Sequence, residues 1–188
     1  MMSLIPEFQI CLWSGWWFVA FYALLNITLI AVYPKDFAQR IFSMPEFDSR
    51  KERIFSMLNF GLYIGAMVYC VLLPLKLGTL WFYAGSAVFA LGMILYTMAM
   101  VNYANTPPDH PVTKGIYRIS RHPMQVTAII VWLGAGIATA SWVMIAACIA
   151  QGILSYPSMV AQEWFCIERY GEPYREYMKT SPRYFMLF

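Results

Sequence analysis

The chain has 188 residues, of which 60% are hydrophobic and only 12% are charged, with 13 Lys or Arg, 10 Asp or Glu and a formal net charge of +3. An ordinary globular domain carries roughly 25% charged residues, so this chain has room for one domain but too few polar side chains to cover it in water. Soluble enzymes, nucleic-acid binders and disordered regulators are excluded as leading classes, and 13 Phe, 13 Tyr, 7 Trp and 13 Met suit a protein solvated in part by lipid.

A helix needs about 20 mostly apolar residues to cross a bilayer core. Residues 8–32 supply a first such run, ended by Tyr33 and Pro34. No Lys or Arg precedes Lys35, so the run reads as a retained span and not as a signal peptide. Residues 34–53 mix Lys35, Arg40, Arg50, Lys51 and Arg53 with Asp36, Glu46, Asp48 and Glu52, which predicts a solvated surface loop, with a substrate gate as the sharper alternative. Residues 54–73 form a second run, ended by Pro74. Within it Gly61 and Gly65 sit four apart, a spacing that lets helices approach closely; packing inside the protein is the expected use. Residues 80–101 form the third run.

Residues 122–162 contain no Asp, Glu, Lys or Arg over 41 positions. At 1.5 Å per residue one helix of that length is about twice too long for a core of roughly 30 Å, which predicts a helical hairpin turning near residues 138–141. After Glu163 the character changes. Ile167, Tyr170, Tyr174, Tyr177 and Met178 share one helical stripe, with Glu168, Glu172, Arg175, Glu176 and Lys179 off it. Gly171 and Pro173 mark a stop and a restart. An amphipathic helix lying on the membrane, and also able to cover a site, follows.

The expected fold is therefore an all-α integral membrane domain over residues 1–188. It has five transmembrane helices, the last two a hairpin, and a cytoplasmic carboxyl-terminal amphipathic helix. Residues 1–101 make a three-helix portion and residues 102–188 carry the chemistry. With the amino terminus outside, every Lys and Arg except Lys76 falls on the cytoplasmic side, so the positive-inside rule turns the active site toward the cytoplasm. Cys11, Cys70, Cys148 and Cys166 lie in or beside apolar runs without Cys-x-x-Cys spacing and read as packing residues. No metal site is expected.

The unusual segment is residues 109–125, which holds both His residues of the chain. Pro123 stands at the mouth of the fourth span, where a missing N–H costs nothing. The free N–H groups of that first turn, together with the helix dipole, make an anion site beside Arg121 and His122.

The order Gly115-x-Tyr117, Arg121-His122-Pro123, an uncharged hairpin, Glu163 eight residues before Gly171, then Tyr174, Tyr177 and Pro182-Arg183 resembles the isoprenylcysteine carboxyl methyltransferase and phospholipid methyltransferase superfamily. The resemblance covers about residues 102–184. It implies a small integral-membrane enzyme that uses S-adenosyl-L-methionine to methylate a lipid or other amphiphile, with membrane lipids around it and no nucleic acid as partner. Carried over by position, cofactor contacts fall on Asp109, His110, Pro111 and Val112, on Tyr117, on His122, Pro123, Met124 and Gln125, and on Asn102. The family's Glu-Glu pair reads Gln162-Glu163 here, and its usual aromatic after His-Pro-x is Gln125. Arg121 and Glu163 are the residues assigned to the chemistry. Where the isoprenylcysteine enzymes carry an Arg, four residues before that pair, this chain has Ser158. That speaks against a carboxylate acceptor, because the bidentate donor is missing.

The chemistry of the cofactor suits these residues. A helix amino terminus with His122 matches its carboxylate, Glu163 its ammonium, and Tyr117 or Trp164 its sulfonium or adenine. A non-catalytic membrane adaptor on the same scaffold and an NADPH-dependent, sterol-reductase-like oxidoreductase are the competing classes.

Overall fold

The structure is a computed structural model that describes residues 11–42 and 49–184. Eight α-helices and one 3₁₀ turn make up the regular structure of the described residues. Three stretches are long and apolar enough to cross a bilayer: α3 (Arg50–Val71), α4 (Leu80–Ala104), and α6 (Trp142–Leu154) running into α7 (Tyr156–Tyr170). Two shorter apolar helices, α1 (Trp16–Val32) and α5 (Pro123–Ala138), have 17 and 16 residues. At 1.5 Å per residue these rise only about 24–26 Å. α2 (Lys35–Phe42) and α8 (Glu172–Thr180) are short and amphipathic.

The apolar runs fold where the sequence places them, with local differences. Residues 8–10 lie outside the described part. Further along, α1 begins only at Trp16, because the chain before it is tied to the end of α3: Gly15 N–H donates to Leu73 O at 2.7 Å and Leu75 N–H to Trp13 O at 2.9 Å. The helix ends at Tyr33, whose extended backbone is the conformation a following Pro favours. The predicted loop at residues 34–53 is helical in its first part, with Phe37 only 2% exposed, while residues 43–48 lie outside the described part.

The hairpin turns as expected. α5 ends at Ala138, Ala140 takes a positive φ of 52°, and Ser141 caps α6 by accepting from Met144 N–H. Between α6 and α7 the helix is interrupted at Ser155. Pro157 has no N–H to offer the carbonyl four residues back, which removes one rung there.

The core is built on the α4–α5 contact. A Cβ on Gly85 or Gly134 would collide with backbone of the facing helix, at Ala138 and Phe89 respectively, so only glycine permits this approach. Gly61 and Gly65 carry no such duty: a Cβ at either meets nothing within 4 Å. Around the close contact, Phe18, Tyr22, Phe89, Tyr96 and Trp132 are buried, and Tyr22 meets Trp132 edge-on at 5.3 Å between centroids. A second, smaller cluster joins Ala99 of α4, Ile116 and Tyr117 of the 3₁₀ turn, and Tyr174 and Tyr177 of α8. The apolar stripe of the tail thus turns onto the protein, and α8 packs on the 3₁₀ turn.

Candidate active site

The site grows from the 3₁₀ turn Gly115–Arg118 and the start of α5. Gly115 has φ 63°, and a Cβ there would strike the Asn102 side chain. Asn102 therefore supports this turn from below. Two residues after the turn, Ser120 Oγ accepts from His122 N–H at 3.1 Å and donates to Arg183 O at 2.8 Å, which fixes the approach to α5. Pro123 opens the helix, with Val126 N–H as the first to bond back, to His122 O. The backbone N–H groups of Met124 and Gln125 lie in the first turn, which has no intrahelical acceptor for them. Such N–H groups are the donors that an anion would meet at a helix start.

Behind this mouth, Glu163 of α7 is only 3% exposed and is bound by three partners. Its Oε1 accepts from Arg121 Nε at 2.9 Å and Arg183 Nε at 3.0 Å and lies 3.2 Å from His122 Nε2, while Oε2 accepts from Arg183 Nη2 at 2.6 Å. Arg121 also donates through Nη1 to Met178 O and Ser181 O, which stitches the end of α8 to the cluster. Tyr177 Oη donates to Tyr117 O at 2.6 Å. Glu163 holds the tail, α5 and α7 together.

Burial pushes the His122 pKa below the usual imidazole range, and the hydrogen bond to Glu163 offsets only part of that shift. At neutral pH the ring is uncharged and Nε2–H points to Glu163. Arg183 is held further above its ordinary range by the same carboxylate, and the Tyr117, Tyr174 and Tyr177 phenols are raised by burial, so all three stay protonated.

In front of the cluster lies a cavity of about 360 Å³. It falls in the range of small-molecule sites. Of the residues expected from the sequence it brings together Pro111, Val112, Tyr117, Arg121, His122, Pro123, Met124, Gln125 and Gln162. Five others stand apart. Asn102 is beneath Gly115, Asp109 and His110 are exposed and paired with each other at 3.1 Å, Glu163 is behind the wall, and Trp164 is 61% exposed. Arg40, Tyr103, Phe165, Arg169 and Tyr170 also line the cavity, and none was among the expected cofactor contacts. Arg40 reaches it because α2 packs under α4: Arg40 Nη1 donates to Thr106 O, and its guanidinium lies 4.5 Å from the Tyr103 ring centroid. The spacing of Phe37, Arg40 and Ile41 on one face of a helix was the available signal. Among the described residues no Asp or Glu lines the cavity, whereas Arg40, Arg121 and Arg169 do. It is a cationic pocket with aromatic walls at the mouth of a helix.

The apolar helices and this pocket fit a multi-pass membrane protein that binds a ligand where its helices end. More specifically, the chain belongs to the phospholipid methyltransferase family, whose sequence profile matches residues 80–173, from the start of α4 into α8. No curated protein matches the chain. The matched region contains the close α4–α5 contact, the 3₁₀ turn, His122 and the Gln162-Glu163 pair; Arg40 and Arg183 lie outside it. The family acts as methyltransferases on lipids.

Proposed function

We propose that the protein is an S-adenosyl-L-methionine-dependent methyltransferase that acts on a lipid or other amphiphile at the cytoplasmic membrane face. The observation that carries this reading is the pocket in which Arg40, Arg121 and Arg169 converge with the α5 amino terminus and five tyrosines. The residues present fit the cofactor. Its carboxylate suits the Met124 and Gln125 N–H groups and the guanidinium groups of Arg40 and Arg169. The faces of Tyr117, Tyr170 and Tyr174 suit its sulfonium, and Phe165 and the apolar atoms of Val112 suit its adenine.

Gln162, which lines the pocket, takes the place facing the ammonium as a neutral hydrogen-bond acceptor. Glu163 and Arg121 are positioning residues in this reading: they fix His122 and fasten the tail over the site. When bound, the cofactor would supply an activated methyl group for transfer to a lone pair of the acceptor. The chain's contribution is to hold two reactants in line and keep water away, an effect that reaches effective molarities of roughly 10⁵–10⁸ M in oriented systems. α8 and α2 supply the cover.

The same reading makes the chain one membrane unit of five spans, residues 1–101 as scaffold and residues 102–188 as the cofactor portion, with the amino terminus outside. Its test is transfer of tritium from methyl-labelled S-adenosyl-L-methionine into an organic-soluble product by purified protein in lipid vesicles. Label passing into the lipid phase supports it. Binding without transfer would favour an adaptor, and oxidation of NADPH in place of transfer would favour a reductase.

A further inference from the structure

A second cavity, of about 310 Å³, lies between α3, α5, α6 and α7. It differs from the first in one respect that decides its use: among the described residues, not one Asp, Glu, Lys, Arg or His lines it. Its polarity is entirely neutral, from amide, hydroxyl and phenol groups carried on the apolar helices. Four buried side-chain polar atoms among the described residues lack any hydrogen-bond partner, and three of them belong to residues lining this cavity: Asn59 Oδ1, Gln125 Oε1 and Ser158 Oγ. Ser158 is only 8% exposed. Buried polar groups are nearly always paired, and three orphans on side chains that line one space mark a place built for a partner.

The chemistry of that partner can be read from the orphans. Two are amide carbonyl oxygens and one is a hydroxyl, so they call for a hydrogen-bond donor. An anion finds no cation in this lining, and a buried charge without a partner is strongly penalised in a membrane span. α3 buries little of itself and carries Phe60, 58% exposed, on the rim, so the cavity adjoins the lipid side of the molecule. Met124, Gln125 and Gln162 line both cavities, which makes those side chains the wall shared with the cationic pocket.

We infer that this second cavity binds the head of a membrane-borne amphiphile carrying an uncharged hydroxyl group, held by Asn59, Gln125 and Ser158. Calling the occupant the methyl acceptor rests on the methyltransferase reading; the selectivity for an uncharged donor does not.

The test uses the full chain in detergent micelles with a photoreactive diazirine derivative of 1-hexadecanol, the labelled peptides being located by mass spectrometry. Labelling is expected on α3 and α7. Unlabelled 1-hexadecanol should compete, while hexadecanoate and hexadecyltrimethylammonium, which carry permanent charge at neutral pH, and hexadecyl methyl ether, which has no O–H, should each compete about tenfold less well, the loss expected for one or two unmade hydrogen bonds. Asn59→Leu and Ser158→Ala should each weaken labelling severalfold and leave S-adenosylhomocysteine affinity unchanged, which also reports that the variant is folded. Equal competition by hexadecanoate or by the methyl ether overturns the inference, as does undiminished labelling of both variants. A chain that binds no S-adenosylhomocysteine but keeps this ranking of probes defeats the cofactor reading and leaves the hydroxyl site standing.

Discussion

Glu163→Gln changes one atom in the most connected side chain of the site. The substitution keeps the shape and removes the charge that Arg121, Arg183 and His122 share. The carboxylate is 4% exposed, and its two permanent partners, Arg183 and Arg121, are 23% and 11% exposed, so solvent screens the cluster poorly. Removing one member of a buried ion pair costs about 3–5 kcal/mol, because the opposite charge stays behind uncompensated. At about 2–4 °C per kcal/mol for a chain of this size, the apparent Tm should fall by about 6–20 °C. The introduced amide NH₂ also faces Arg183 Nη2, donor against donor. Cofactor affinity, measured by calorimetric titration with S-adenosylhomocysteine well below the transition, should change little. Gln162→Ala should behave in the opposite way: about a tenfold loss of affinity, for one lost hydrogen bond to a charged group, and a Tm close to that of the parent. A Glu163→Gln variant with an unchanged Tm and a large loss of affinity would refute this reasoning and place Glu163 against the cofactor ammonium.

Arg169→Ala and Arg40→Ala should each lower S-adenosylhomocysteine affinity by about 10- to 150-fold, the range for a hydrogen bond to a charged group; calorimetry at two salt concentrations checks it, with the difference narrowing at high salt. Gly171→Ala forces a side chain onto a backbone at φ 63°, ψ −134° and should cost about 1–3 kcal/mol, seen as faster proteolytic removal of α8. His122 is folded with a pKa below its ordinary value, surrounded by Glu163, Arg121 and Arg183. The unfolded chain therefore takes up a proton first as pH falls. Stability should hold above the ordinary imidazole pKa of about 6.5 and decline from there down to the lower folded value. Imidazole carbon shifts followed by NMR between pH 7 and about 5 check the assignment.

How far the sequence reaches is clearest in the hairpin and in the pair at 162–163. A run of 41 residues without acid, Lys or Arg has one geometric solution in a bilayer, so the turn at residues 138–141 was legible before any coordinates. The start of α5 at Pro123 was legible for a similar reason, since Pro suits the first helical turn. Glycine spacing was not. Gly61 and Gly65 carry the familiar signal yet face open space, while Gly85 and Gly134, on different helices, make the close contact. A spacing rule reads one helix at a time and cannot see which face meets a neighbour. Gln162 and Glu163 are about 100° apart on their helix, so only one faces the pocket, and the composition of the pair favours the acid. What decides the matter is Arg183, brought back onto Glu163 by α8 after the bend at Gly171. The Pro182-Arg183 motif was visible; its target was not, because a turn and a helix stand between them.

The central claim is that the cationic pocket binds S-adenosyl-L-methionine, and equilibrium titration of the full-length protein with S-adenosylhomocysteine tests it most directly, with NADPH as the comparison ligand. Saturable binding of S-adenosylhomocysteine at one site per chain, weakened by Arg169→Ala and by Gln162→Ala and unaffected by NADPH, is the predicted result. No binding, or displacement by NADPH at comparable concentration, would contradict it.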